Sequence, residues 1–106
     1  MEDFITPANH INFLAKKIFG NLEQKMLDGS IAYLDKEGGG PVEMHTHDHN
    51  HLFMVVKGEV KIMLGDKVVI LSENDFYLVK GKIPHSVWNN REEVAVMVGI
   101  STKDID

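Results

Sequence analysis

The chain has no cysteine among its 106 residues. Disulfides are therefore excluded, and so is any zinc site built from thiolates. Long apolar runs are also missing. No segment approaches the roughly 20 apolar residues that a membrane-spanning helix needs, so no membrane partner is expected. The opening stretch Met1-Glu2-Asp3-Phe4-Ile5 has no basic region and no extended apolar run, so no signal peptide is visible and a cytoplasmic protein is expected. Blocks of basic residues are lacking too. Eleven Lys and Arg are interspersed with sixteen Asp and Glu, giving a formal net charge of −5 with histidines neutral. That balance argues against nucleic acid or an anionic membrane as a partner.

What is present reads as one soluble domain over residues 1–106. Apolar content of 43% and charged content of 25% are ordinary for a globular protein, and the length supports one core but not two. From Asn21 onward, short runs rich in Val, Ile and aromatics are cut by turn residues. The pattern predicts strands near 22–27, 31–35, 42–47, 51–57, 59–64, 67–71, 76–80, 85–89 and 94–100. Turns are expected at Asp28-Gly29, Glu37 to Pro41, Lys57-Gly58, Gly65-Asp66, Glu73 to Asp75 and Asn89 to Glu92. Many short strands without intervening helical patterns indicate an all-β sandwich or barrel. In the last strand, Val94, Val96, Val98 and Ile100 share one face, and Ala95, Met97 and Gly99 the other. Both faces are apolar, as for a strand lying between a core and a cavity or partner subunit. Near the N-terminus, Ile11, Leu14, Ala15 and Ile18 follow helical spacing and predict a short helix ending at Gly20, with a strand as the alternative.

The chemistry concentrates in Gly39-Gly40-Pro41-Val42-Glu43-Met44-His45-Thr46-His47-Asp48-His49-Asn50-His51, with His85 arriving three strand-like segments later. On a strand, residues two apart face the same way about 6.5–7 Å apart, so His45 and His47 can turn toward one ion. His51 has the parity of His47 across a tight connection, and His85 must come from another strand. Neutral imidazole is the commonest protein metal ligand. Four of them suit a divalent first-row transition metal rather than calcium or magnesium.

These residues resemble the cupin superfamily, a jelly-roll β-barrel or double-stranded β-helix. Its first motif runs Gly, five residues, His-x-His, three or four residues, Glu, six residues, Gly. Gly39, His45, His47 and Gly58 fit that spacing, and His51 stands where the family has Glu. The second motif runs Gly-Asp, then Pro-x-Gly-x-x-His-x-x-x-Asn. Asn74-Asp75, His85 and Asn89 follow it, while Lys80 and Lys82 replace the Pro and the Gly, with Gly81 and Pro84 close by. The resemblance spans residues 39–89. It implies one divalent transition-metal ion (iron, manganese, nickel or zinc) held inside the barrel by His45, His47, His51 and His85. Exchange of Glu for His51 leaves the dipositive charge of such an ion uncompensated, which predicts a stronger Lewis acid.

Other positions carry weaker expectations. Glu43 shares parity with His45 and is a candidate general base, against a simpler reading as a carboxylate at the barrel mouth. His49 is expected in the connecting turn, exposed with Asp48 and Asn50. His10 reads as a surface or interface residue. Asn89 can orient a ligand or serve the fold. Phe53, Val55, Met63 and Met97 are candidates for either cavity lining or ordinary core. Trp88 has the opposite parity to His85 and is expected on the outer face. Functionally, the resemblance points to a metal-dependent enzyme on a small molecule, with dioxygenase chemistry first and isomerisation next. The competing readings are a non-catalytic ligand sensor and a structural cupin. A homodimer is expected by the same resemblance.

Overall fold

The computed structural model describes residues 3–20 and 25–104. Among the described residues eight strands follow one another: β1 Ile11–Gly20, β2 Met26–His45, β3 Asn50–Lys57, β4 Glu59–Leu64, β5 Lys67–Ser72, β6 Phe76–Val79, β7 His85–Asn89 and β8 Ala95–Thr102. They form one antiparallel sheet in the order β5-β4-β7-β2-β8-β3-β6, with β1 added to β2. The sheet curls into a nearly closed jelly-roll barrel. Among the described residues no helix is long and apolar enough to cross a membrane.

Strand alternation sets the core. In β4, Val60, Ile62 and Leu64 are buried while Glu59, Lys61 and Met63 lie on the other face. The register pairs Val60 with Asn89 and Ile62 with Val87, which joins β4 to β7. In β3, Phe53 and Val55 point inward with His51 and meet Gly99, Met97 and Ser101 of β8. Leu34 and Ala95, wholly buried, close the core where β2 crosses β8. Alternation of this kind is what a half-buried antiparallel strand requires.

β2 organises the barrel. Its first half pairs with β1 on one edge and β8 on the other, and its second half passes to β7. The turns expected at Asp28-Gly29 and Glu37 to Pro41 are therefore bends within a 20-residue strand. Gly39 explains why that stretch looks like a turn in sequence. Its φ is 152°, and a Cβ there would overlap the carbonyl oxygen of Val87 and the Trp88 ring. Glycine serves a close approach between β2 and β7 rather than a reversal. The expected strand 22–27 begins outside the described residues, and its end belongs to β2.

The expected N-terminal helix is a strand instead. β1 pairs with β2 over Phe13↔Leu34, Ala15↔Ala32 and Lys17↔Ser30. The free edge of β2 outweighs a weak local helical pattern, as tertiary context often does. Phe13 faces the interior while Leu14 is exposed, the period of a strand.

Candidate metal centre

The sequence places the histidines on different pieces of chain, and the fold brings their rings together. His45 ends β2 and is the direct register partner of His85, the first residue of β7. Their ring centroids lie 4.9 Å apart. His47 lies beyond the end of β2, not on the strand with His45. A backbone hydrogen bond from its N–H to the Gly81 carbonyl, 2.9 Å, holds it in place. Its ring is still 4.9 Å from that of His45, 4.9 Å from that of His85 and 4.8 Å from that of His51. His51, on β3, approaches from across the barrel, 5.8 Å from His85.

The loop carrying His47 is braced by Asn50, expected exposed in the connecting turn but buried at the start of β3, and by Gly81. Asn50 is buried, accepts a hydrogen bond from the Gly81 N–H at 3.0 Å, and donates to Asp104 at 2.9 Å. Gly81 packs so closely that a Cβ would overlap the carbonyl oxygens of His47 and His49. The Gly-for-Lys shift by one position in the second motif was the available signal.

Hydrogen bonding fixes which nitrogen faces the centre. The Nδ1 of His47 lies 2.6 Å from the His49 carbonyl, and the Nδ1 of His85 lies 2.7 Å from the Ile83 carbonyl. A carbonyl only accepts, so each Nδ1 carries the proton and each Nε2 carries a lone pair. Both Nε2 atoms are buried and have no hydrogen-bond partner. Leaving a buried acceptor unpaired costs about 1–3 kcal/mol. Two such atoms directed at one place are the pattern of ligands with backbone carbonyls as their outer partners.

Electrostatics disfavour the protonated forms of His45, His51 and His85. Burial, and then the neighbouring His47, His49, His85 and His45, push His51 down to about 3. Burial and then His85 and His47 lower His45, and burial leads the lowering of His85 despite the opposing hydrogen bond that its Nδ1–H donates to the Ile83 carbonyl. Protonating any of these three rings would place charge beside its neighbours in a desolvated pocket. Lone pairs are therefore available at neutral pH.

Ring orientation separates His49 from the other four. His45, His47 and His85 cross one another at 69–76°. His51 crosses His47 at 88° and His85 at 75°. An imidazole ligand holds its ion near the ring plane, and crossed planes can share a point. His49 instead stacks flat on His47, 3.9 Å away at 2°. Two parallel planes share no point, so in this arrangement His47 and His49 cannot bind one ion together. By proximity alone two trios can hold a metal, His45-His47-His85 and His47-His49-His51.

Beside the histidines opens a cavity of about 250 Å³. Phe13, Phe53, Val87 and Met97 give it an apolar wall, and His45, His51 and His85 one polar end. Phe53 and Met97 belong to the core and also line the cavity, whereas Val55 belongs to the core alone. Met63 lies outside, with Trp88, Val42 and Met44 around a surface hollow. Trp88 is on the outer face as its parity predicts, its indole N–H donating to Ser86 Oγ at 3.0 Å. Glu43 is exposed and lies in neither trio. Asn89 serves the fold: its amide donates to the carbonyls of Leu34, Asp35 and Glu93, and its oxygen accepts the Arg91 N–H. His10, expected on the surface, lines the cavity.

Comparison with known proteins gives a consistent fold. The family profile described as Cupin domain matches residues 33–101. No curated protein matches the sequence. A cupin-2 domain protein from Rhodospirillum rubrum superposes with a TM-score of 0.77 at 18% identity, covering 98% of this chain and 71% of that one. An HTH_3 family transcriptional regulator from Vibrio cholerae gives 0.80 at 15% identity, with 97% of this chain covered but only 57% of the regulator. A polyketide cyclase from Streptomyces resistomycificus gives 0.74 at 10% identity, over 94% of this chain and 71% of the cyclase. At such identities the likeness is one of fold.

Proposed function

The chain belongs to the cupin domain family, and on that premise we propose that His45, His47, His51 and His85 hold one divalent transition-metal ion at the end of a small-molecule cavity. The observation that carries this reading is the pair of buried, unpartnered Nε2 atoms on His47 and His85. Nothing among the described residues satisfies them, and their Nδ1 hydrogen bonds prevent the rings from turning away. Bound there, the ion would supply Lewis acidity, and redox chemistry where the metal is iron or manganese.

The chain's own residues do the rest. The four imidazoles add no negative charge, so the centre favours a ligand with an electron-rich atom. Phe13, Phe53 and Met97 exclude water around that atom, which strengthens electrostatic interactions. A metal-dependent oxidoreductase of dioxygenase type, acting on a small molecule, is the activity we assign first. Isomerase chemistry ranks below it because Glu43, the base it would use, lies outside the cavity lining. A second reading, a ligand-sensing module, draws on the Vibrio cholerae regulator, of which a domain like this forms little more than half.

The test is elemental analysis of protein purified without a histidine tag. One equivalent of iron, manganese, nickel or zinc per chain is expected. Oxygen uptake by the iron-loaded protein across small aromatic and keto compounds separates the two readings. A chain that takes up none of the four metals would refute the assignment.

The protein also works as a homodimer in this proposal. The outer face of β6-β3-β8 carries a grid of apolar residues, with Phe76 and Leu78 facing Met54 and Leu52, which face Val98 and Ile100. Phe76 is 69% exposed, at the open end of the sheet. Such a patch implies a covering partner, here a second copy. Sedimentation should give a dimer for the native chain and a monomer for Phe76→Lys.

A further inference from the structure

The cavity has three polar side chains on its wall that belong neither to the histidine cluster nor to the family-matched segment, His10, Asp28 and Ser30; the Ser30 hydroxyl can donate or accept, whereas His10 and Asp28 present acceptors. The ring of His10 is positioned rather than loose. Its Nδ1 lies 2.8 Å from the Ala8 carbonyl, so Nδ1 carries the proton and Nε2 is left as an acceptor. The ring edge packs on Phe13, 4.6 Å between centroids at 61°. Its floor is Gly40, where a Cβ would come 2.7 Å from the ring. The segment carrying it is pinned to the barrel, since the Asn9 carbonyl accepts the Val42 N–H at 3.0 Å and Ile5 bridges Ala15.

Asp28 approaches from β2. Its register neighbour on β8 is Ser101, and the next residue across is His51 on β3. The row carboxylate, hydroxyl, imidazole thus crosses the cavity toward the cluster. Lys17 contacts one oxygen of Asp28 at 3.2 Å. A carboxylate offers about four lone-pair sites, so most of its accepting capacity remains.

We propose that the cavity binds a small hydroxyl- or amino-bearing molecule, and that His10 and Asp28 select it by accepting its hydrogen bonds. Away from the histidines both groups accept, so the matching ligand groups are O–H or N–H donors. The volume of about 250 Å³ sits just below the usual range of ligand pockets, which starts at about 300 Å³, and suits one ring or a short chain. The inference rests on the proposed function only in placing the ligand's other end at the metal centre.

The experiment compares two probes of nearly equal size, 4-hydroxybenzyl alcohol and 4-methylphenol, by ligand-observed NMR titration of the zinc-loaded and metal-free protein. The native chain should prefer the alcohol about tenfold, the usual value of one hydrogen bond to a held acceptor. His10→Phe should abolish the preference and His10→Gln, which keeps an acceptor, should retain it. Asp28→Leu should narrow the preference, and all three variants should keep one zinc per chain. Equal affinity of the native chain for the two probes, absence of binding of either, or an undiminished preference in both His10→Phe and Asp28→Leu would overturn the inference. So would loss of zinc in His10→Phe, which would put His10 in the metal centre. The metal-free arm isolates the two proposals. If the chain takes up no zinc but still prefers the alcohol, only the metal reading fails.

Discussion

Two buried polar residues lie four positions apart on β7, His85 and Asn89, and the protein treats them in opposite ways. Asn89 is fully engaged, its amide spread over three carbonyls and its oxygen taken by a backbone N–H. His85 is only 2% exposed, yet its Nε2 has no partner. Buried polar groups normally find partners, so a satisfied one tells of folding and an orphan tells of something the fold alone does not supply. One end of the strand is finished by the chain itself, and the other is left open, as the proposed metal site requires.

Substitution at the two positions should therefore separate affinity from stability. His85→Ala removes a proposed metal ligand, and the expected loss of zinc or iron affinity exceeds about 100-fold, the upper end of what an outer partner alone contributes. His51→Ala should match it. Competition with a chromophoric chelator gives the constants. In the metal-free protein His85→Ala should unfold close to the native temperature, because it removes an unsatisfied group along with its packing. An affinity within tenfold of native for either variant would place the metal elsewhere.

Acid should act on the histidine end and leave the asparagine end unmoved. His45, His51 and His85 all sit below the ordinary histidine value when folded, with burial the first cause, and His51 is pushed to about 3. Below about pH 6.5 the unfolded chain takes up protons that the folded chain refuses, so stability falls as pH falls. The metal-free melting temperature should be flat above about pH 6.5 and decline between 6.5 and 5.5, before carboxylates titrate. His51→Leu should make that decline shallower. Asn89→Ala should lower the whole curve without altering its slope.

That lowering is the next largest effect. Asn89→Ala leaves the carbonyls of Leu34, Asp35 and Glu93 without this donor, at a cost of about 2–4 kcal/mol by urea unfolding. Metal stoichiometry in the folded fraction should stay at one. A ligand-orienting role for Asn89 would instead show as lost small-molecule binding at native stability.

The contrast between satisfied and orphaned groups was only partly legible in the sequence. Histidine spacing and the period-two patterns of β3, β4 and β8 are local signals, and both led to the barrel. The partners of Asn89 sit more than fifty residues away at Leu34 and Asp35, a separation that no local pattern encodes. β1 failed for the same reason, since its conformation is imposed by the edge of β2. His10 looks peripheral in sequence because its place beside Gly40 depends on the distant contact between the Asn9 carbonyl and the Val42 N–H of β2. Glycines 39 and 40 look like a turn in sequence, although the missing side chain serves the approach of β7 at Gly39 and of the segment before β1 at Gly40.

His49 gives the smallest effect and the sharpest discrimination within the histidine tract. By proximity it belongs to a trio with His47 and His51. By ring plane it does not, because it lies 2° from parallel with His47. Proximity predicts that His49→Ala weakens metal binding as much as His51→Ala does. The stacked geometry predicts a change below the roughly tenfold seen when even an outer partner is removed. The carbonyl that anchors His47 belongs to the backbone of residue 49 and survives the substitution. Chelator competition on the two alanine variants side by side decides between them. Equal losses would mean that His49 turns inward when metal binds and that the stack is not the loaded arrangement.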